Sequence, residues 1–348
     1  MVGITAFPFS GKTTVVNLLL KRSSGQKLEN EGRIPVPDER LETLNKIFEP
    51  VKKTPAFITI KELPAFDLRK RIEPKLISEM RNTDVISFVA RSFDILSYPY
   101  IYPDIDPKRD IKKFLEELII EDIAIVEKRI KTSIKGLKKN SREEKEIEIL
   151  KKALPILEEG RLFRDVELSD EETSYLRHYS FLTLKPFLLL LNIGEADLAN
   201  TKEIEDEFMG FLGNNTKVLA ISAKLEEELS ALETEEAKEM LLSFGLKNFG
   251  LERFIQACYD LLGYMTFFTV GHDEVRAWQI RKGSSALDAA GKIHSDIARG
   301  FIRAEVISYD DFINCGSMNE AKKRGLLRLE GKEYIVKDGD ILHVRFNI

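Results

Sequence analysis

Eight residues near the N-terminus, Ala6-Phe7-Pro8-Phe9-Ser10-Gly11-Lys12-Thr13, have the spacing of a phosphate-binding loop, with Ala where the first Gly would stand. Such a loop needs backbone N–H groups that converge on phosphate oxygens, and Gly11 lets the chain approach them closely. The helix that follows presents its positive N-terminal end to the same anion. Lys12 can reach the outer phosphates as a point charge, and the Thr13 hydroxyl can ligate Mg²⁺. Pro8, Phe9, Ser10, Gly11, Lys12, Thr13 and Thr14 are therefore candidate nucleotide-binding residues, with Thr13 the candidate metal ligand.

Two other segments carry base-recognition chemistry. Asn192-Ile193-Gly194-Glu195 follows the apolar run Phe187–Leu191, and Ser222-Ala223-Lys224 follows Val218–Ile221. In GTP-binding proteins the first segment reads Asn-Lys-x-Asp, and its Asp accepts hydrogen bonds from guanine. Here Ile193 stands at the Lys position and Glu195 at the Asp position, which weakens guanine selection. Ligands of open α/β sheets bind beyond the carboxyl ends of the strands, so all three segments belong at one edge. Asn192, Ile193, Glu195, Ser222, Ala223 and Lys224 are the candidate base-site residues; taken singly, an Asn or Ser after a strand is a cap.

A sheet must position these groups. Residues 2–5, Ala56–Ile60, Val85–Ala90, Phe187–Leu191 and Val218–Ile221 are short apolar runs that read as buried strands. Helices are expected over Lys12–Leu20, from Pro37 through Phe48, and over Arg69–Met80, with residues 22–34 a loop. Strands alternating with helices indicate a parallel sheet covered on both faces. Residues 106–180 break the rhythm. Ile119, Ile123, Val126, Ile130, Ile134 and Leu137 recur at helical spacing, and Ile147, Leu150, Leu154 and Leu157 continue on a returning helix. The tip region of this antiparallel hairpin carries Lys128, Arg129, Lys131, Lys135, Lys138, Lys139, Arg142 and Lys145, which is either a solvated surface or a basic prong for an RNA backbone. After Gly263, short β-rich segments at Arg276–Arg281, Phe301–Val306, Lys332–Val336 and Ile341–Phe346 form a small separate α+β domain.

Composition sets the frame. The 348 residues suffice for two or three domains, and 43% hydrophobic with 32% charged residues is a globular balance. A net charge of −5 gives no global pull toward nucleic acid, so any RNA contact is local. Cys258 and Cys315 cannot form a disulfide framework or a four-cysteine zinc site. The most apolar run, Phe187–Ile193, is far shorter than the roughly 20 residues of a spanning helix, so a cytoplasmic protein is expected. His178, His272, His294 and His343 have no metal-site spacing.

The C-terminal segments Thr266–Thr269, Glu274–Trp278, Ile280–Gly283, Ala289–Asp296, Gly300–Val306, Leu329–Tyr334 and Asp338–Asp340 resemble the TGS domain of the YchF/Obg-like ATPase family along nearly its full length. Pro37–Leu41, the hairpin, Asn192–Glu195 and Ser222–Lys224 match in the same order. The resemblance implies an α/β fold: a P-loop NTPase parallel sheet (1–105 and 181–264), an inserted antiparallel helical hairpin (106–180), and a C-terminal ubiquitin-like, β-grasp TGS domain (265–348). It also implies Mg²⁺ with ATP, GTP being possible, and association with ribosomes or structured RNA. ATP preference is tied in the family to the Asn-x-x-Glu variant seen at Asn192 and Glu195.

The departures carry weight too. The family's loop begins with Gly and usually has Asn at the place of Phe9. No Thr lies between Thr14 and Thr43 to serve as a switch-one Mg²⁺ ligand. After Ala56–Ile60, where Asp-x-x-Gly should follow, the chain reads Lys61-Glu62-Leu63-Pro64; Glu62, or more weakly Asp67, is the only nearby replacement for the Asp. Phosphoryl transfer depends on such charge-neutralising, positioning groups, so binding is expected to outlast hydrolysis. The competing readings are an adaptor that binds little or no nucleotide and, less favoured, a small-molecule kinase with a helical lid.

Overall fold

The computed structural model describes residues 1–21, 30–67, 69–94, 100–134, 141–212 and 216–347. Lys135, Lys138 and Lys139 of the expected basic tip lie outside the described residues. The chain divides into two compact units, Met1–Gly32 with Thr59–Phe254, and Arg33–Ile58 with Ile255–Ile348.

The described strands are β1 (Val2–Ala6), β2 (Glu31–Pro35), β3 (Lys52–Thr54), β4 (Phe57–Glu62), β5 (Val85–Ser92), β6 (Phe187–Ile193), β7 (Thr216–Ile221), β8 (Tyr264–Thr269), β9 (Glu274–Arg281), β10 (Phe301–Ser308), β11 (Arg328–Glu330) and β12 (Asp340–Phe346). One six-stranded sheet has the order β2-β4-β1-β5-β6-β7. Its pairs β1–β4, β1–β5, β5–β6 and β6–β7 are parallel. Every residue of β1 and β6 is buried, which is why these strands read as unbroken apolar runs. The carboxyl ends of β1, β4, β5, β6 and β7 share one edge, where the loop after β1 leads into helix α1 (Lys12–Lys21).

Some expectations need correction. Part of the expected 22–34 loop is strand β2. The helix expected from Arg69 begins at Pro74, as α3 (Pro74–Arg81); α2 is Glu39–Phe48. Proline at the first helical position fits, because its missing N–H is unpaired there anyway. Lys332–Val336 is not a strand: it contributes a single bridge, Ser285 to Ile335.

The insertion comprises α4 (Pro107–Ile134), α5 (Ser141–Glu158) and the shorter α6 (Asp170–Leu176). The first part of α4 belongs to the sheet's own core. Ile111, Phe114 and Leu118 are buried there, and Phe114 stacks on Phe88 of β5 with ring centroids 4.5 Å apart. Further along, Ile119 and Val126 pack with Ile147, Leu150, Ala153 and Leu157 of α5 in a second core. Asp122 of α4, fully buried, joins the two. It accepts N–H bonds from Leu182 (3.0 Å) and Thr183 (2.7 Å) and the Thr183 hydroxyl (2.8 Å), fixing where the chain returns to β6. Burial outweighs these bonds and pushes its carboxyl up to about 6.

The second unit holds a sheet of order β11-β10-β12-β8-β9-β3. β8–β9 and β10–β12 are antiparallel, and β12–β8 is parallel, the pattern of a β-grasp. Ala286, Ala289 and Ala290 of the helix Ala286–Ile293 pack into its core with Phe267 and Trp278. β3 extends the sheet by pairing parallel to β9. Leu41 and Leu44 of α2 are buried, Phe48 stacks on Phe312 at 5.5 Å, and Arg40 reaches Asp338 at 2.7 Å. Among the described residues no helix is long and apolar enough to cross a membrane.

Candidate functional site

The loop after β1 is anchored from below. Phe7 is buried and meets Phe66 and Phe88 edge-on, each with centroids 5.2 Å apart. Phe9 then turns outward with a positive φ of 62°, a conformation rare for a bulky residue, and its ring is 54% exposed. Gly11 also has positive φ, at 85°. A Cβ there would lie 2.1 Å from Nδ2 of Asn192, so the close approach that requires glycine is first of all to this side chain.

Asn192 is the internal staple of the site. Its Nδ2 donates to the Ser10 carbonyl (3.0 Å), and its Oδ1 accepts from the Ala223 N–H (3.0 Å). It is 4% exposed and ties the phosphate loop to the turn after β7. Ser222 is likewise committed: it caps the helix Ala223–Leu229, accepting from the Leu225 N–H at 3.3 Å. Glu195, in contrast, is exposed and accepts from Lys224 Nζ at 2.7 Å, which holds the ammonium above its ordinary pKa.

Lys12 is buried, and its Nζ donates to Glu62 Oε1 and to the Leu63 carbonyl, both at 2.6 Å. β4 ends at Glu62, so an Asp-x-x-Gly count from the end of that strand falls on Glu62 and Ala65. Asp67, the weaker candidate, pairs with Arg69, whose hydrogen bonds lower its carboxyl to about 2.

The loop and base-site candidates line one cleft of about 780 Å³, Pro8 through Thr14, Asn192 through Glu195, and Ser222 through Lys224, whereas Glu62 and Asp67 are not in its lining. Sequence reasoning missed Ala65, Phe93, Asp94 and Glu227, which line it as well. Phe93 and Asp94 directly follow β5, so the rule that ligands sit beyond strand ends would have found them. Among the described residues no group of three His, Cys, Asp or Glu side chains is placed to hold a metal ion. On the insertion, Arg129 is turned onto Glu146 (2.8 Å), Lys131 onto Glu127 (2.8 Å), and Lys128 is exposed.

The family YchF-GTPase_C, described as "Protein of unknown function (DUF933)", matches residues 264–347. The "Ribosome-binding ATPase YchF" of Bacillus subtilis (strain 168) is 36% identical over 363 residues, covering 99% of both chains. The chain belongs to the YchF family. The protein of the same name from Haemophilus ducreyi is 37% identical over 358 residues, again with 99% coverage of each. The solved "Structure of the Schizosaccharomyces pombe YchF GTPase" superposes with a TM-score of 0.87 at 28% identity, over 99% of this chain and 97% of that one. YchF membership and the P-loop fold therefore agree with the resemblance drawn from the sequence.

Proposed function

We propose that this YchF-family chain binds purine nucleotide in the cleft, prefers ATP to GTP, hydrolyses it slowly and works on ribosomes or structured RNA in the cytoplasm. One observation carries the reading: a single cleft joins the phosphate loop to the segments after β6 and β7. Phosphates would lie on the loop's N–H groups and the N-terminal end of α1. The base would lie toward Ile193, Ala223 and Phe93. The pairing of Glu195 with Lys224 supports ATP preference, since guanine N–H donors would compete with an ammonium already bonded to that carboxylate. The name carried by the bacterial relatives supports ribosome association and ATP. The three-part division into nucleotide domain, helical insertion and TGS domain belongs to the same reading.

Mg²⁺ fits the oxygen donors at hand. The Thr13 hydroxyl and the nucleotide's own phosphates would hold it, with Glu62 the carboxylate beside Lys12. Bound there, it would neutralise charge on the phosphates. Slow turnover follows from what stands at the switch positions: Glu62 and Ala65 occupy the Asp and Gly places, and no switch-one Thr is present. The adaptor reading is favoured by one observation, the engagement of Lys12 with Glu62 and Leu63.

Calorimetry with ATP and GTP in Mg²⁺, beside single-turnover hydrolysis, separates the two. Binding of ATP over GTP, lost by at least about tenfold in Lys12→Ala with hydrolysis negligible in both, is expected. Equal affinity of native and variant protein would establish the adaptor, and rapid Mg²⁺-dependent hydrolysis would overturn slow turnover. Ribosome co-sedimentation that falls with salt, and with charge reversal at Lys138 and Lys139, is expected alongside.

A further inference from the structure

Beneath the phosphate loop lies a side chain that the nucleotide reading does not use. Arg91, near the end of β5, is 1% exposed. Its Nη1 donates to the Phe9 carbonyl at 3.3 Å and its Nε to the Phe93 carbonyl at 3.0 Å. The guanidinium lies over the rings of Phe93 (4.6 Å) and Tyr100 (5.2 Å). Burying a guanidinium is costly unless its donors are satisfied and its charge is compensated, and here carbonyls and aromatic faces do part of both.

The contacts continue outward. The Tyr100 hydroxyl donates to the carboxylate of Asp110, which is fully buried in the first turn of α4. Asp110 is held from its other side by Arg109 at 3.0 Å. A set of hydrogen-bonded and stacked groups thus runs from the strained residue of the loop, Phe9, through the Arg91–Tyr100 stack, to the first turn of the 28-residue helix that opens the insertion.

We propose that Arg91 is a positioning residue for the phosphate loop, and that Arg91, Tyr100 and Asp110 couple the state of the loop to the base of the helical insertion. Arg91 holds the Phe9 carbonyl and so fixes the backbone that carries the N–H groups after it. Whatever orders the loop then also orders the Tyr100–Asp110 end, and the coupling is reciprocal. The affinity part of this inference rests on the nucleotide reading above; the coupling itself does not.

Amide hydrogen exchange on the full chain without nucleotide tests the coupling. Tyr100→Phe keeps the ring and removes the bond to Asp110. Exchange over residues 9–14 is expected to rise about fivefold, while amides of strands β6 and β7 exchange as in wild type. Loop exchange equal to wild type in Tyr100→Phe would overturn the coupling. Arg91→Met is expected to weaken ATP binding by about tenfold, with Arg91→Lys recovering part of it, while adenosine, which lacks phosphates, binds both variants as it binds wild type. Wild-type ATP affinity in Arg91→Met, or equal loss for ATP and adenosine, would overturn the positioning role. A wild-type protein that does not bind ATP would count against the nucleotide reading, and the nucleotide-free exchange would still decide the coupling.

Discussion

At the scale of single residues, the site is built on side chains that serve the loop before they serve a ligand. Asn192 shows this best. The sequence assigns it to base recognition, yet its amide spans the Ser10 carbonyl and the Ala223 N–H, both at 3.0 Å. An Asn192→Ala change leaves those two buried backbone groups without their side-chain partner, at a cost of about 1–3 kcal/mol each. We expect chemical denaturation to register a loss of roughly 2–6 kcal/mol without any nucleotide present. A residue that only touched a base would leave that stability unchanged, so an unaltered midpoint would refute the staple. Gly11 is tied to the same arrangement, because any Cβ there collides with the Asn192 amide. The motif spacing shows that Gly11 is needed; only the fold shows which neighbour makes it so.

At the scale of elements, the parts legible in sequence are those whose physics is local. β1, β5, β6 and β7 are covered on both faces and read as apolar runs. The stripe of α4 declares a helix, and the loop before α1 is a fixed spacing of residue types. What escaped depends on partners far along the chain. β3, Lys-Lys-Thr, has no strand character of its own and exists because β9 offers an edge. Lys332–Val336 has strand-like residues but finds one bridge only. The Lys12–Glu62 bond joins positions 50 residues apart. The return of the insertion to the sheet is another such case, since nothing around Asp122 in sequence announces its bonds to Leu182 and Thr183. Its titration makes that junction testable. The folded carboxyl titrates at about 6 against an ordinary 3.8, so the unfolded chain ionises it first as pH rises. The contribution is fully present below the unfolded value and is lost as pH climbs through the folded one. Wild-type stability relative to Asp122→Asn is therefore expected to fall by about 2–3 kcal/mol between pH 4 and 6.5 and to level off above. A difference between the two proteins that stays flat over that range would show that the burial does not govern this group.

At the scale of the molecule, the way the chain is divided matters more than the order of its motifs. The C-terminal family match covers residues 264–347, but the compact unit there also includes Arg33–Ile58, a segment from between the phosphate-loop helix and β4. That segment supplies edge strand β3 to the β-grasp sheet, the helix α2 with its buried Leu41 and Leu44 beside β9, the ring of Phe48 to Phe312, and Arg40 to Asp338. The chain therefore leaves the first unit soon after α1 and comes back within β4, whose end carries Glu62. It follows that residues 264–348 alone are an incomplete body. They lack the burial of Leu41 and Leu44, worth roughly 1.5–3 kcal/mol each, and they expose the edge of β9. Joining 33–58 to 255–348 through a flexible linker is expected to raise the melting temperature over the shorter fragment by at least about 10 °C, given roughly 4–8 °C per kcal/mol in a domain of this size. It is also expected to reduce aggregation, since an open strand edge invites pairing with other chains. Equal melting of the two fragments would mean that 33–58 merely rests on a domain already complete without it.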